Sequence, residues 1–322
     1  MRHPIDLGSV AVLRFGPDHV RFFTDGWGDD DLLTPVDVTQ VPVEPLAIRW
    51  LTSTTDAGVV IRHGTFTSPF ELLPDRARQG SVVAVEPDTG WNRTVVLMPA
   101  WNEHEPHVRM ALARRLSRHG ISSIILENAY FGSRHPDPHG GHPIRTVSDF
   151  MLMGASAVIE ARNILATVRD QGMLVGVSGY SMGGNTAALV AASMPFPVAA
   201  APLAAAYSPA PVFLGGVLRH GIAWDALGGT DQADRLGEIL GRVSVLSVPP
   251  PAHVANAIIV GARSDAYIPR ATTDELADHW PGSELRWERG GHATLVWLRK
   301  DRLADAVIDA FERQYPEAPI PI

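Results

Sequence analysis

The chain has 322 residues, 45% hydrophobic and 19% charged, which is ample material for the buried core of one large α/β domain. Lys and Arg number 27 against 35 Asp and Glu, a net charge of −8 with no basic run, which argues against nucleic acid or an anionic membrane surface as the main partner. Cysteine is absent, which excludes disulfides, thiol catalysis and thiolate metal sites.

The opening stretch, MRHPIDLGSVAVLRFGPDHV, lacks the apolar run and cleavage site of a secretory signal, so a cytoplasmic location is expected. Residues 1–57, with Pro35, Pro42, Pro45, Trp27 and Trp50, read as an N-terminal extension. From residue 58 to 322, short β-rich runs alternate with helical ones. VVIRHGTF (59–66), SVVAVEP (81–87), TVVLMPA (94–100), SSIILEN (122–128), LVGVSG (174–179), VAAAPLA (198–204), AIIVGARSD (257–265) and ELRWERGG (284–291) read as eight strands. The later ones are apolar without alternation, the mark of strands buried on both faces of a mostly parallel sheet. Helices are predicted over roughly 105–119, 146–170, 182–193, 272–280 and 293–314. This alternation predicts a wound α/β sheet with right-handed crossovers.

Residues 205–255 interrupt the rhythm as a long insertion between two strands. Its middle, VFLGGVLRHGIAWDAL, reads as helical and amphipathic, as in a lid over a site. No charged residue occurs between Asp170 and Arg219, yet Pro195, Pro197, Pro202, Pro209 and Pro211 divide that segment. Its pieces are shorter than the roughly 20 residues a membrane span needs, so no span is expected.

The chemistry concentrates in VGVSGYSMGGN, residues 175–185. It follows a strand, precedes a helix, and fits G-x-S-x-G as Gly179, Tyr180, Ser181, Met182 and Gly183. A serine on so sharp a turn projects its hydroxyl upward, and small flanking residues let the backbone fold that tightly. A phosphate loop would need a Lys-Ser/Thr pair after the glycines, which is missing. Further on, VGARSDAYIP sets Asp265 past an apolar strand, and WERGGHATLV sets His292 in a loop before the last helix. The order Ser, Asp, His at three strand ends predicts a nucleophile, its base and the acid that orients the base. Asp274 and Asp278 are the fallback acids, both on the following helix. One oxyanion donor is expected from the N–H of Met182, the other from the loop MPAWNEH after the third predicted strand, as the N–H of Trp101. Tyr180, Phe213, Leu214, Leu218 and Trp224 are candidate pocket residues, with core packing the competing role.

The stretches ENAYFGSRHP, VSDFMLMGASAVIEA and GYSMGGNTAALVA, continued by GVLRHGIAWDAL, resemble the abhydrolase domain-containing protein 18 family of α/β-hydrolases. The likeness spans about residues 94 to 230. It implies the α/β-hydrolase fold, carries over Ser181, Asp265 and His292 as the triad, and sets Glu127 to Gly132 at the rim of the site. One departure stands out: the loop after the third strand, glycine-rich in relatives, is PAWNEH here.

Weaker signals point elsewhere. His135, Asp137, His139 and His142 offer metal donors in a Pro- and Gly-rich stretch that equally suits a solvated loop. NEHEPH lacks the spacing of a zinc-protease helix, and the NRT at Asn92 matters only on a secretory route. The expected function is hydrolysis of a small-molecule carboxylic ester with an uncharged or lipid-like acyl group, with no cofactor and no metal. Acyl transfer or thioester cleavage by the same triad, or non-catalytic ligand binding on a hydrolase scaffold, are the alternatives. Homodimerisation through the N-terminal extension is left open.

Overall fold

The computed structural model describes His3, Asp6, 21–101, Glu103, 105–136, His142 and 144–317. Nine strands form one sheet: β1 (Arg49–Asp56), β2 (Val59–Thr67), β3 (Gln79–Pro87), β4 (Arg93–Met98), β5 (Ile121–Leu126), β6 (Leu174–Tyr180), β7 (Ala199–Leu203), β8 (Ile258–Ala262) and β9 (Glu284–Glu288). Their order is β1-β2-β3-β5-β4-β6-β7-β8-β9. From β5 to β9 every pairing is parallel; β1, β2 and β3 join antiparallel at one edge.

The sheet therefore has one strand more than the eight expected. The additional strand is β1, drawn from the segment read as an extension. Nearly all its residues are exposed, and RWLTSTTD has no apolar face to announce a strand. The hairpin to β2 turns on Ala57 and Gly58 with φ of 48° and 79°, both left-handed as a two-residue type I′ turn requires.

The helices are α1 (His107–Ser117), α2 (Val147–Asp170), α3 (Met182–Ser193), α4 (Pro209–Gly215), α5 (Ala233–Gly241), α6 (Arg270–His279), α7 (His292–Leu298) and α8 (Lys300–Gln314). Helix α2 starts where T-V-S-D makes a capping box: Thr146 Oγ1 accepts from Asp149 N at 3.0 Å and Asp149 accepts from Thr146 N at 3.3 Å. It is long and apolar enough to cross a membrane (mean hydropathy 1.3), but 83% of that apolar window is buried inside the protein, as in a core helix. The run expected as one helix over 293–314 divides at Arg299 into α7 and α8.

Two apolar layers sandwich the parallel strands. One joins α2, α3 and Trp280 to Val96, Val177 and Ile259. The other joins α1 and α8 to Leu97, Ile125 and Val260. A third cluster caps the carboxyl ends of the strands, where Phe22, Phe23, Phe150, Phe213 and Leu236 meet. It holds together residues after 20, the β2–β3 connection at Phe70 and Leu73, the segment Ala129–Phe131 after β5, the start of α2, and the segment between β7 and β8. Phe22 bridges to Ile222, and the Trp27 indole N–H donates to the Leu227 carbonyl at 3.1 Å. Between β7 and β8 the chain forms α4, a 3-10 turn (Val217–Gly221) and α5 rather than one long helix.

Candidate active site

The turn between β6 and α3 is bent as the glycines predict. Ser181 has φ 59° and ψ −120°, a left-handed conformation that costs a side chain on the order of 1–3 kcal/mol. Ser181 N–H donates to the Leu203 carbonyl at 2.9 Å, pinning the bend to the end of β7. No larger residue fits beside it. A Cβ on Gly179 would lie 2.3 Å from the Gly183 carbonyl oxygen, and one on Gly183 would lie 2.5 Å from that of Met98. The turn is therefore wedged against the end of β4, where the Trp101 loop begins.

Asp265 lies in the loop after β8 and His292 is the first residue of α7. His292 Nδ1 and Asp265 Oδ2 are 2.7 Å apart, with side chains only 11% and 5% exposed. The other carboxylate oxygen, Oδ1, accepts Tyr267 N–H at 2.8 Å and Ile268 N–H at 2.9 Å, so the acid is aimed by its own loop. The His292 imidazole is held above the ordinary histidine range. Burial alone would lower it, but the Asp265 carboxylate, by charge and hydrogen bond, and then Asp6 outweigh burial.

Tyr180, next to Ser181 in the chain, touches this pair. The Tyr180 ring lies 5.0 Å from the imidazole, and its hydroxyl donates to the His292 carbonyl. Burial first, then Asp265 and Asp6, push the Tyr180 phenol well up, so it stays a neutral donor. Among the described residues no hydrogen bond joins Ser181 Oγ to His292, a contact often long before substrate arrives. Asp274 and Asp278 lie on α6; Asp274 pairs with Arg270 at 3.5 Å.

Met182 is the first residue of α3, so its N–H has no acceptor within the helix. The Trp101 loop is built on a buried pair that the residue pattern did not reveal. Ala100 N–H donates to Glu103 Oε2 at 3.0 Å, and Arg109 Nε contacts both Glu103 oxygens at 2.9 and 3.0 Å. Arg109 also donates to the carbonyls of Leu97 and Leu126, at 2.8 and 2.6 Å, tying the loop to β4 and β5. Among the described residues the Trp101 N–H makes no hydrogen bond, and Trp101 and Met182 both line the cavity at Ser181.

A cavity of about 50 Å³ opens on Ser181, lined by Trp101, Phe150, Met182, Phe213 and Leu218 among others. The Trp101 indole packs at 5.3 Å on Phe22 and 5.8 Å on Phe150. A second, apolar cavity of about 310 Å³ adjoins it and shares Phe150, Met182, Asn185 and Pro209. It extends along α2 and α3 between Val36–Thr39 and Arg242–Pro249. Of the candidate pocket residues, Phe213 and Leu218 line the cavity at Ser181. Leu214 and Trp224 pack in the cluster above it, and Tyr180 faces the opposite side, toward Leu97 and Val296.

Of the metal candidates, Asp137 and His139 lie outside the described residues, and His142 stacks on Trp101 at 5.3 Å. Among the described residues no three His, Asp or Glu side chains converge as metal ligands would. The stretch from Glu127 follows β5 and turns through Tyr130 at φ 70°. Phe131 then rests edge-on against Trp101 at 6.0 Å.

The profile of the family described as alpha/beta hydrolase domain containing 18 matches residues 20–240 and 230–313. Among solved structures, an acetyl xylan esterase from Paenibacillus sp. R4 superposes with a TM-score of 0.58 at 13% identity, over 84% of this chain and 90% of that one. A cold-adapted esterase from an Arctic intertidal metagenomic library gives 0.52 at 17% identity, over 80% of this chain and 98% of that one. At such identities the likeness is one of fold, the α/β-hydrolase fold.

Proposed function

The chain belongs to the alpha/beta hydrolase domain containing 18 family, and we propose that it is a serine hydrolase cleaving carboxylic esters through Ser181, His292 and Asp265. The observation that carries this reading is the buried 2.7 Å contact of His292 with Asp265 beside a serine at φ 59°.

In the proposed reaction, Ser181 Oγ attacks the ester carbonyl carbon as His292 Nε2 takes its proton. The tetrahedral oxyanion is met by the N–H groups of Met182 and Trp101, each worth on the order of 10²–10³ in rate. The C–O bond to the alcohol then breaks, the alcohol leaves with the proton from His292, and the acyl group stays on Ser181. Water, deprotonated by the same imidazole, attacks this ester and releases the acid. Asp265 keeps Nδ1 protonated, so Nε2 is free to accept, and it offsets the charge of the imidazolium.

For the substrate, the two adjoining cavities support an uncharged acyl group. The small one suits the carbonyl and first carbons; the larger apolar one suits the rest of the chain. Hydrolysis of p-nitrophenyl esters of increasing chain length, beside Ser181→Ala, tests both parts. Activity lost in the variant and greatest at medium or long chains is the expected result. Equal rates in wild type and Ser181→Ala would overturn the reaction, and a sharp preference for acetate would overturn the acyl assignment.

A further inference from the structure

Asp6 is fully buried although it lies far from either partner in the chain. Its Oδ2 accepts His292 N–H at 2.7 Å and Ala266 N–H at 3.1 Å, and its Oδ1 accepts Ala293 N–H at 3.0 Å. His3 N–H donates to the Ser264 carbonyl at 2.9 Å. His3 and Asp6 thus hold the backbone on both sides of Asp265 and at the first two residues of α7. We propose that Asp6 is a positioning residue for this site: its carboxylate ties the loop after β8 to the first turn of α7 and so holds His292 against Asp265. The inference rests on the proposed triad.

Two features of α7 support the assignment. Its N-cap is Gly291, which has no side chain to satisfy the exposed N–H groups, and Asp6 accepts two of them from elsewhere in the chain. Gly291 itself leaves room for that carboxylate. At an ordinary φ of −104°, a Cβ there would lie 2.4 Å from both Asp6 Oδ2 and His3 Cβ. A glycine that the backbone does not require is thus matched to the seat of Asp6.

Asp6 also adds a second negative charge behind the imidazole. The groups that face His292 among the described residues are the Asp265 and Asp6 carboxylates, the neutral Tyr180 phenol and the Tyr267 ring at 5.0 Å. Both carboxylates favour the imidazolium that forms as Ser181 attacks. Replacing Asp6 by Asn removes one charge and turns an N–H donor toward backbone donors, so the loop should loosen and His292 should titrate at lower pH.

The test compares wild type with Asp6→Asn, Asp6→Glu and Gly291→Ala, each checked for a cooperative thermal transition. Histidine-labelled NMR follows the His292 titration and its low-field Nδ1 proton; ester hydrolysis separates kcat from KM. In Asp6→Asn, kcat should fall about 100-fold with KM within roughly two-fold, as for a displaced catalytic group. The Nδ1 proton should broaden and the titration midpoint should drop. Gly291→Ala should behave alike, since it displaces the same carboxylate, and Asp6→Glu should recover part of kcat. A folded Asp6→Asn with wild-type kcat, midpoint and Nδ1 signal would overturn the proposal. Should wild type hydrolyse no ester and resist a fluorophosphonate, the serine-hydrolase reading fails. The NMR comparison still decides whether Asp6 holds His292: unchanged spectra overturn it, a lost Nδ1 signal supports it. If Asp6→Asn does not fold, Gly291→Ala supplies the same readings.

Discussion

Asp265 and His292 show how far a short-range reading of this chain reaches. Each follows a strand, so a carboxylate and an imidazole could be assigned from local signals, and their 2.7 Å contact agrees with that spacing. Replacing the acid tests the roles separately from the packing. Asp265→Asn should leave the fold intact and lower kcat by about 10⁴, because the amide no longer selects the tautomer with Nδ1 protonated. The raised His292 gives a second expectation. The proposed reaction needs the neutral imidazole, so activity should fall as pH drops through a midpoint above that of an ordinary histidine. In Asp265→Asn that midpoint should move down, since burial then opposes the charge with less to offset it. A pH–rate profile of kcat/KM in both proteins measures the shift, and an unmoved acid limb would count against His292 as the base. Asp6 and the Glu103–Arg109 pair had no comparable signal. A lone aspartate 286 positions from its partner resembles any solvated carboxylate until the chain is folded.

At the level of elements, the helices were legible because one-sided burial imposes a period, the central strands because burial on both faces leaves an unbroken apolar run, and β1 was not because it buries almost nothing. Its strand state comes from the Ala57–Gly58 turn and from pairing with β2. Helix α2 opens on a capping box and carries a glycine with open space beside it. Gly154 lies in mid-helix, lines the larger cavity, and a Cβ there would meet no atom within 4 Å. Gly154→Ala should therefore raise stability by roughly 0.5–1 kcal/mol, the ordinary gain over glycine in a helix. Gly154→Phe should fill the space and shift the preferred ester toward shorter acyl chains. Melting curves and the ester series check the pair; an unchanged chain-length optimum in Gly154→Phe would mean that the larger cavity does not hold substrate.

Across the whole molecule, distant segments are joined by aromatic packing over the carboxyl ends of the strands and by buried ion pairs. Arg134 and Glu160 are both fully buried and meet at 2.6 and 2.9 Å, while Arg134 also donates to the carbonyls of Ala77 and Glu127, each at 2.8 Å. The arginine thus links the loop after β5, the approach to β3 and the middle of α2. Arg134→Met should cost about 3–5 kcal/mol, because it strands a buried carboxylate. Adding Glu160→Leu should recover much of that loss. Urea unfolding of the single and double variants measures it, and a single variant within 1 kcal/mol of wild type would refute the account.

By itself the sequence determined the α/β architecture, the bend at Ser181 and the candidacy of Asp265 and His292. Hydrophobic period, glycine sterics and strand-end position all act within a few residues and so leave a local trace. Only the tertiary structure decided that the segment after residue 20, α2 and the β7–β8 segment meet over Ser181, leaving two cavities that share walls. It alone decided that Asp6 stands behind His292. Those outcomes depend on which buried surfaces and polar groups find each other across the chain, and a carboxylate records nothing of a partner that only folding brings within 3 Å.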